Sequence, residues 1–362
     1  MDIPEVKVST PLKIEDIFTE TLQLKASDIH LIANEPPIYR IDGVICRSNK
    51  FPVLSAMVIS SLINSILNEE QKKTFLEKKE LDLSYELPKT ARFRVNLFWE
   101  KGNISMVARL ISAILPTMEE ILLPPIVYEL TKLNSGLIII TGPAGSGKST
   151  TMAAFLNYIN QTRPLNIITF EDPIEYIFTA DKSAIVQREL GRDMLSFGEG
   201  LKHVLRQDPN VIMVGEMRDL ETVALTLTLA ETGHLVLATL HTPDAPQTID
   251  RILDVFPPHQ QNQIRFQLSS VLRAVVAQRL VPKVNGGRIA AREILLNNSA
   301  VASLIRDVKI PQIRSVIQTH AKEGMITMFN SVRQLYKAGL ISQEVAMAQV
   351  SNPDEVIEMI RS

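Results

Sequence analysis

The spacing of apolar residues divides the chain into two parts. Before residue 117 the apolar runs are short and interrupted by polar residues, whereas beyond it long apolar runs alternate with stretches of helical spacing. We therefore expect a smaller α+β domain over 1–116, with a linker from about 111, and a larger domain over 117–362. From about Asn298 onward only helical spacing is found, which predicts a helical C-terminal tail.

The first part contains short strand-like stretches, a helical stretch and two longer strands. These elements are predicted in the order strand, strand, strand, helix, strand, strand at 27–33, 38–43, 44–48, 55–79, 91–100 and 103–111. Lys101 and Gly102 connect the last two strands, which we expect to be antiparallel. Prolines interrupt the pattern between 111 and 125, so the domain boundary is placed near Thr117.

The second part contains nearly continuous apolar runs at LIIIT, NIITFED, NVIMVGE and HLVLATLHT, which begin at residues 137, 166, 210 and 234. Strands that are covered on both faces have this composition. Because helical stretches separate the runs, we expect an α/β domain with a mostly parallel sheet.

The composition is that of a protein able to bury a core: of 362 residues, 45% are hydrophobic and 22% are charged. The net charge of −2 supplies no basic field, so nucleic acid is not expected as a partner. Cys46 is the one cysteine, which rules out an internal disulfide or a cysteine-cluster zinc site. We find neither a signal peptide nor an apolar run of the ~20 residues that span a bilayer, so any membrane link is expected to go through a partner protein.

The stretch from Gly142 to Ser149 matches the G-x-x-x-x-G-K-[ST] pattern of a phosphate-binding loop, with a predicted strand before it and a predicted helix after it. Glycines let backbone N–H groups surround an anion, Lys148 can reach the β- and γ-phosphates, and the Ser149 hydroxyl can bind Mg²⁺. The sequence therefore predicts ATP and Mg²⁺ as cofactors. The expected nucleotide-binding residues are Gly142, Pro143, Ala144, Gly145, Ser146, Gly147, Lys148, Ser149 and Thr150.

Acidic residues follow two further predicted strands, at Glu171, Asp172 and Glu175 and at Glu216. In a doubly wound sheet these acids and the phosphate loop converge at the carboxyl ends of the strands. One carboxylate is needed to orient or deprotonate water and others to hold Mg²⁺, although each acid alone could instead cap a helix. Gly215 stands where many such enzymes have an Asp, which moves the expected metal role to the 171–175 group and to Asp172 in particular.

Two histidines and three arginines are further candidates. His241 follows an apolar strand of the same sheet and is expected beside the γ-phosphate as a sensor or a water-positioning group, whereas His234 is as readily a structural residue.

Arg92 and Arg94 share one face of a strand and Arg109 lies on the next strand. These arginines either form a solvated face or reach the terminal phosphates of a nucleotide.

Taken together, these motifs resemble the pilus-retraction (twitching-motility) ATPases of the secretion-ATPase superfamily. The resemblance runs from about residue 25 to the end and rests on ASDIHL, RFRVN, GPAGSGKSTTMAA, FEDPIEY, VLRQDPNVIMVGEMRDLETVALTLTLAETGHLVLATLHT and TIDRILDVFP. It implies a PAS-like N-terminal domain, a RecA-like ATPase domain and a homohexameric ring. It also implies that the ring is cytoplasmic and docks on an inner-membrane pilus platform protein.

The resemblance also implies roles for particular residues. The family's Walker A motif corresponds to 142–149, its acidic box to 171–175 and its Walker B glutamate to Glu216. The family's histidine box corresponds to His234 and His241, and its N-domain arginines to Arg92, Arg94 and Arg109. In the family the nucleotide lies between the two domains of one chain, so these arginines would act in cis.

Other functions stay open at this point. The chain departs from the family at Ala144, at Asn210, in the stretch 300–306 and at His320, and the accessory retraction paralogue departs in similar places. Pilus-assembly and type II secretion ATPases are the nearest alternative, but members with a tetracysteine zinc insertion need more than one cysteine. A RecA-like motor on DNA and a nucleotide-controlled docking protein without turnover are more distant alternatives.

Overall fold

The computed structural model describes residues 12–41, 43–87, 91–111 and 115–349. The chain divides into two compact units, residues 1–114 and 115–362, and each has its own apolar core. Several predictions fall partly outside the described residues. These concern the start of the chain, Asp42 in the strand predicted over 38–43, residues 112–114 of the linker and the end of the helical tail.

The first unit is an α+β fold built on one antiparallel sheet. Its strands are β1 (Asp28–Leu31), β2 (Ile38–Ile41), β3 (Val44–Arg47), β4 (Glu80–Leu87), β5 (Ala91–Glu100) and β6 (Asn103–Ile111). Its helices are α1 (Ile14–Gln23), α2 (Ala56–Asn64) and α3 (Glu69–Lys78). Among the described residues the strands form a six-stranded sheet in the order β3-β2-β1-β6-β5-β4. Phe18 of α1 stacks on Phe93 of β5, with ring centroids 4.3 Å apart, in the core between helices and sheet.

Two features of this unit differ from the sequence prediction. The single helix expected over 55–79 is two helices, because Asn68 starts a new one: its side chain accepts from the Gln71 backbone N–H, and the Gln71 side chain accepts from the Asn68 N–H. Strand β4 was not predicted, although Leu81, Leu83 and Tyr85 alternate with polar residues along it and pack against the core.

The second unit is an α/β fold, which confirms the predicted fold class. Its strands are β7 (Gly136–Thr141), β8 (Asn166–Glu171), β9 (Ala184–Glu189), β10 (Val211–Val214), β11 (Leu235–Leu240), β12 (Leu272–Pro282) and β13 (Arg288–Leu296). In the described residues they form a seven-stranded sheet in the order β13-β12-β7-β11-β10-β8-β9. All neighbours are parallel except β12 and β13.

Helices cover both faces of this sheet and form the predicted helical tail. Those before the tail are α4 (Pro125–Leu130), α5 (Lys148–Thr162), α6 (Phe197–Val204), α7 (Leu220–Glu231), α8 (Ala245–Asp254) and α9 (Pro258–Val271). The tail contains α10 (Ser299–Arg306), α11 (Ile313–Thr319), α12 (Met328–Lys337) and α13 (Gln343–Met347). No helix in the described ranges combines the length and the apolar character that a bilayer crossing requires.

The parallel arrangement brings the predicted site residues of the second unit to one edge of its sheet. Strands β7, β8, β10 and β11 are the four predicted apolar runs, and each ends at this edge, where the phosphate loop and the acids follow. Strands β9, β12 and β13 were not predicted. Strand β9 lies at the sheet's margin and is half exposed, so it lacks a continuous apolar run.

A buried arginine fixes the first turn of the second unit to its sheet. Arg292 on β13 is 3% exposed and donates hydrogen bonds to the carbonyl oxygens of Ile121 (2.9 Å) and Leu122 (3.1 Å). Burial lowers the pKa of Arg292 to about 10, so the guanidinium stays charged at neutral pH. No carboxylate among the described residues pairs with it. The backbone carbonyls of 121–122 are therefore its main partners.

Candidate active site

The phosphate loop connects the buried strand β7 to helix α5. Its backbone takes left-handed conformations at Gly145 (φ 74°) and Gly147 (φ 87°), which glycine adopts without strain. A Cβ on Gly142 would lie 2.3 Å from the Gln278 carbonyl oxygen, so this position needs glycine because strand β12 passes close to it. Such a glycine-rich loop before a helix N-terminus is the arrangement that backbone binding of an anion requires.

Lys148, the first residue of α5, bends back over its own loop. Its ammonium donates to the carbonyl oxygens of Gly142 (2.7 Å) and Pro143 (3.1 Å). Burial lowers the pKa of Lys148, while the charges of Glu216 and Glu175 act in the opposite direction. The nine predicted nucleotide-binding residues form the continuous stretch 142–150, in which Pro143, Ala144 and Gly145 are exposed. At its end, the Thr150 hydroxyl lies 3.0 Å from the Tyr176 hydroxyl.

Gln278 is a site residue that the sequence analysis missed. It is 1% exposed on β12; its amide donates to the Ser146 carbonyl oxygen (2.8 Å), and its oxygen accepts from the Thr151 hydroxyl (3.0 Å). One side chain therefore joins the phosphate loop to the first turn of α5. In sequence the only signal is an amide that interrupts an apolar run.

His241 lies between Lys148 and Glu216. Its Nδ1 is 3.3 Å from the Lys148 ammonium, and its Nε2 is 3.3 Å from the Glu216 Oε1. Because an ammonium is a donor only, Nδ1 accepts from it, and Nε2 then carries the hydrogen that faces Glu216. This tautomer is that of a neutral imidazole. The Lys148 ammonium and the Glu216 carboxylate are thus joined through one ring.

Arg218, which the sequence analysis also missed, joins two of the predicted acids. Its Nε donates to Glu216 Oε2 (2.8 Å) and its Nη1 to Asp172 Oδ2 (3.4 Å). These contacts link residues that are 46 positions apart in the chain. Both oxygens of Glu216 are therefore engaged, one by Arg218 and the other by His241.

Gly215, beside Glu216, has no room for a side chain. Its N–H donates to the Phe170 carbonyl oxygen (2.7 Å), and a Cβ would lie 2.9 Å from that same oxygen. The Thr239 hydroxyl donates to the Gly215 carbonyl oxygen from the other side. An Asp at position 215 would therefore require β8 to move.

The acids of the 171–175 group have different surroundings. Glu171 is 6% exposed, and its Oε1 accepts from the Thr169 hydroxyl (2.6 Å) and from the Gln187 amide (3.0 Å). It also accepts from the Glu175 backbone N–H, and burial raises its pKa. Asp172 and Glu175 are exposed. Glu171 thus holds the loop that carries the other two acids.

His234 lies far from these residues along the sheet. It precedes β11, and its carbonyl oxygen accepts from the N–H of Gly136, the first residue of β7, whereas the phosphate loop follows the last residue of β7. The His234 Nδ1 is 3.2 Å from the Thr232 hydroxyl and 3.1 Å from the Leu229 carbonyl oxygen. The structure thus brings His241, but not His234, to the edge that carries Lys148.

The three arginines belong to the first unit. Arg92 is 7% exposed, so it is not part of a solvated face, whereas Arg94, which pairs with Arg109 across β5 and β6, is exposed. Arg109 Nε donates to Oδ1 of the buried Asp28 (2.8 Å). Burial acts to raise the pKa of Asp28, but hydrogen bonds from Ser27 and Arg109 outweigh it, and the net shift is downward. Asp28 thereby fixes the direction of the Arg109 side chain.

Comparison with known proteins gives consistent similarities. A family model described as type II/IV secretion system protein matches residues 7–290. The type IV pilus retraction ATPase PilT of Pseudomonas aeruginosa is 44% identical over 343 residues, which cover 95% of this chain and 99% of that protein. A twitching motility protein of Neisseria gonorrhoeae is 45% identical over 339 residues, covering 93% of this chain and 90% of that protein.

A solved structure is similar over nearly the same extent. The crystal structure of the pilus retraction motor PilT with bound ADP matches with a TM-score of 0.90 and 45% sequence identity. The match covers 96% of this chain and 99% of that one, so the similarity includes both units.

Proposed function

The chain belongs to the type II/IV secretion system protein family, and we propose that it is the ATP-hydrolysing motor that retracts a type IV pilus. The observation that carries this proposal is the line of contacts Lys148–His241–Glu216–Arg218–Asp172 beside the phosphate loop. The relatives named as pilus retraction ATPases support the same function.

The geometry gives the residues distinct roles in hydrolysis of ATP to ADP and phosphate. The phosphate loop and Lys148 hold the β- and γ-phosphates, because the loop's N–H groups and the ammonium provide positive charge where negative charge develops. Glu216 is the general base that takes a proton from the attacking water. His241 senses the γ-phosphate, because movement of Lys148 toward that phosphate breaks its contact with the ring. Glu171 supports the loop that presents Asp172 and Glu175.

Mg²⁺ bound with a nucleotide takes phosphate and water oxygens plus one or two protein oxygens. Ser149 and Asp172 offer a hydroxyl and a carboxylate of this kind at the edge of the sheet. Within the described part of the chain, no group of three His, Cys, Asp or Glu side chains is arranged to hold a metal by itself. When bound, the ion neutralises phosphate charge. Arg92, Arg94 and Arg109 are proposed to add positive charge at the terminal phosphates.

The proposal includes an assembly. We expect a homohexameric ring that works at the cytoplasmic face of the inner membrane through a pilus platform protein, without nucleic acid. The accessory retraction paralogue and the pilus-assembly or type II secretion ATPases remain the alternatives.

The function is tested by counting surface pili after deletion of the gene. Loss of a retraction motor leaves excess pili, whereas loss of an assembly ATPase leaves none. Re-expression of the wild type should restore the normal number, and re-expression of the Lys148→Ala variant, which cannot compensate the phosphate charge, should not. Absence of pili in the deletion strain would assign the chain to assembly instead.

A phosphate-release assay tests the chemistry separately. The Glu216→Gln variant should still bind ATP but release phosphate at least ~100-fold more slowly, because an amide cannot accept the proton from water. The matched variant Glu199→Gln removes an exposed carboxylate of α6 and should leave the rate unchanged. Near-normal turnover of Glu216→Gln would transfer the role of base to Glu175 or Glu171.

A further inference from the structure

Arg218 covers one oxygen of each of two acids to which the proposed reaction assigns roles. Its guanidinium contacts Oε2 of Glu216 at 2.8 Å and Oδ2 of Asp172 at 3.4 Å, while Oε1 of Glu216 faces His241 at 3.3 Å. A general base needs a lone pair that faces water, and a carboxylate near Mg²⁺ needs an oxygen that faces the ion or its water shell. In the arrangement described, the same cation covers an oxygen of each acid.

Arg218 cannot leave these oxygens by losing its proton, because a guanidinium stays charged at any physiological pH. It has to move. Its side chain is 63% exposed and extends from the turn between β10 and α7, so it can rotate into solvent without unpacking the core. An exposed ion pair of this type is worth little, which makes such a rotation inexpensive.

We propose that Arg218 is a positioning residue that pairs with Glu216 and Asp172 and is displaced from them when Mg²⁺ and nucleotide bind. The proposal rests on the proposed function. In the arrangement described, Arg218 bridges Glu216 and Asp172 and offsets their negative charge. Asp172 would then offer its carboxylate to the ion instead of to Arg218, and departure of the guanidinium would leave Oε2 of Glu216 free to face water. The base is thus exposed only when its substrate is present.

The test measures ADP binding against Mg²⁺ concentration by titration calorimetry at constant ionic strength. ADP is used so that hydrolysis does not intervene. In the Arg218→Met variant no guanidinium competes for Asp172, so the Mg²⁺ midpoint should fall about two- to fivefold, the ratio that corresponds to an exposed ion pair. The Arg218→Lys variant keeps the charge but contacts fewer oxygens, and its midpoint should lie between those of Arg218→Met and the wild type.

Two controls separate competition from other effects. Arg251→Met removes the same charge from an exposed position of α8 and should leave the Mg²⁺ midpoint within the error of the wild type. In EDTA, Arg218→Met should bind ADP no more tightly than the wild type, since no divalent ion is present to compete.

Several outcomes would overturn the proposal. One is a Mg²⁺ midpoint of Arg218→Met equal to that of Arg251→Met. Another is that Arg218→Met still binds ADP more tightly than the wild type in EDTA. The third is a Mg²⁺ midpoint of Arg218→Lys at or below that of Arg218→Met. Failure of the proposed function gives a different result, namely a wild type that binds ADP but releases no phosphate from ATP. The two failures are therefore distinguishable.

Discussion

Glu171 and Asp172 are neighbours in sequence, yet their side chains lie in opposite surroundings. Glu171 ends β8 and is buried against Thr169 and Gln187, whereas Asp172 is exposed and faces Arg218. This difference follows from the alternation of side chains at a strand end. Burial therefore decides which of two adjacent acids meets the solvent and which supports the loop.

The buried acid should make stability depend on pH. Burial raises the pKa of Glu171 above its ordinary 4.5, so above that value the folded protein holds a proton that the unfolded chain has lost. Stability contributed by this group therefore falls as pH rises from about 4.5. Glutamine cannot ionise, so Glu171→Gln should gain stability relative to the wild type over that interval, as measured by urea unfolding at several pH values. A stability difference between Glu171→Gln and the wild type that stays constant across these pH values would contradict the assignment.

The sequence predicted the residues of this candidate site that belong to contiguous motifs, but not those that contact them across the fold. Lys148 and Glu216 follow apolar strands in recognisable patterns. Arg218 was passed over because its partner Asp172 is distant in the chain, and Gln278 because a buried amide has no local signature. Such contacts depend on which strands are neighbours, and only the sheet order supplies that.

Strand β12 shows the same limit for an entire element. Continuous apolar runs predicted β7, β8, β10 and β11, because a strand covered on both faces excludes polar residues. Strand β12 is equally central, but Gln278 and Arg279 interrupt its run. The amide can be buried there because the phosphate loop and α5 satisfy both of its polar ends.

Replacing Gln278 should weaken both the contact of β12 with the phosphate loop and α5 and the binding of nucleotide. Gln278→Leu keeps a similar volume but leaves the Ser146 carbonyl and the Thr151 hydroxyl without partners, which should lower the free energy of unfolding by about 1–3 kcal/mol. ADP affinity should fall as well, because the loop loses its anchor. Thr151→Val removes one of these bonds and should have the smaller effect, and the double variant should be less than additive. Unchanged unfolding and ADP affinity would refute this role.

The assembled state is predicted from the family resemblance rather than from the described residues of one chain. We expect light scattering to give a hexamer in the presence of nucleotide, with an ATPase rate per chain that falls on dilution as rings dissociate. In the Lys148→Ala variant, which lacks the ammonium proposed to bind phosphate, the mass measured by light scattering should change only weakly when ATP is added. A stable monomer with full, concentration-independent ATPase activity would exclude a ring as the active form.

Arg292 has a mechanical consequence for a protein that pulls. Its two hydrogen bonds attach the backbone at 121–122 to β13, which is itself paired with β12 along its whole length. A pull on the chain at the start of the second unit would meet this attachment within a few residues. The two hydrogen bonds therefore limit how far the backbone at 121–122 can be drawn away from the sheet before they break.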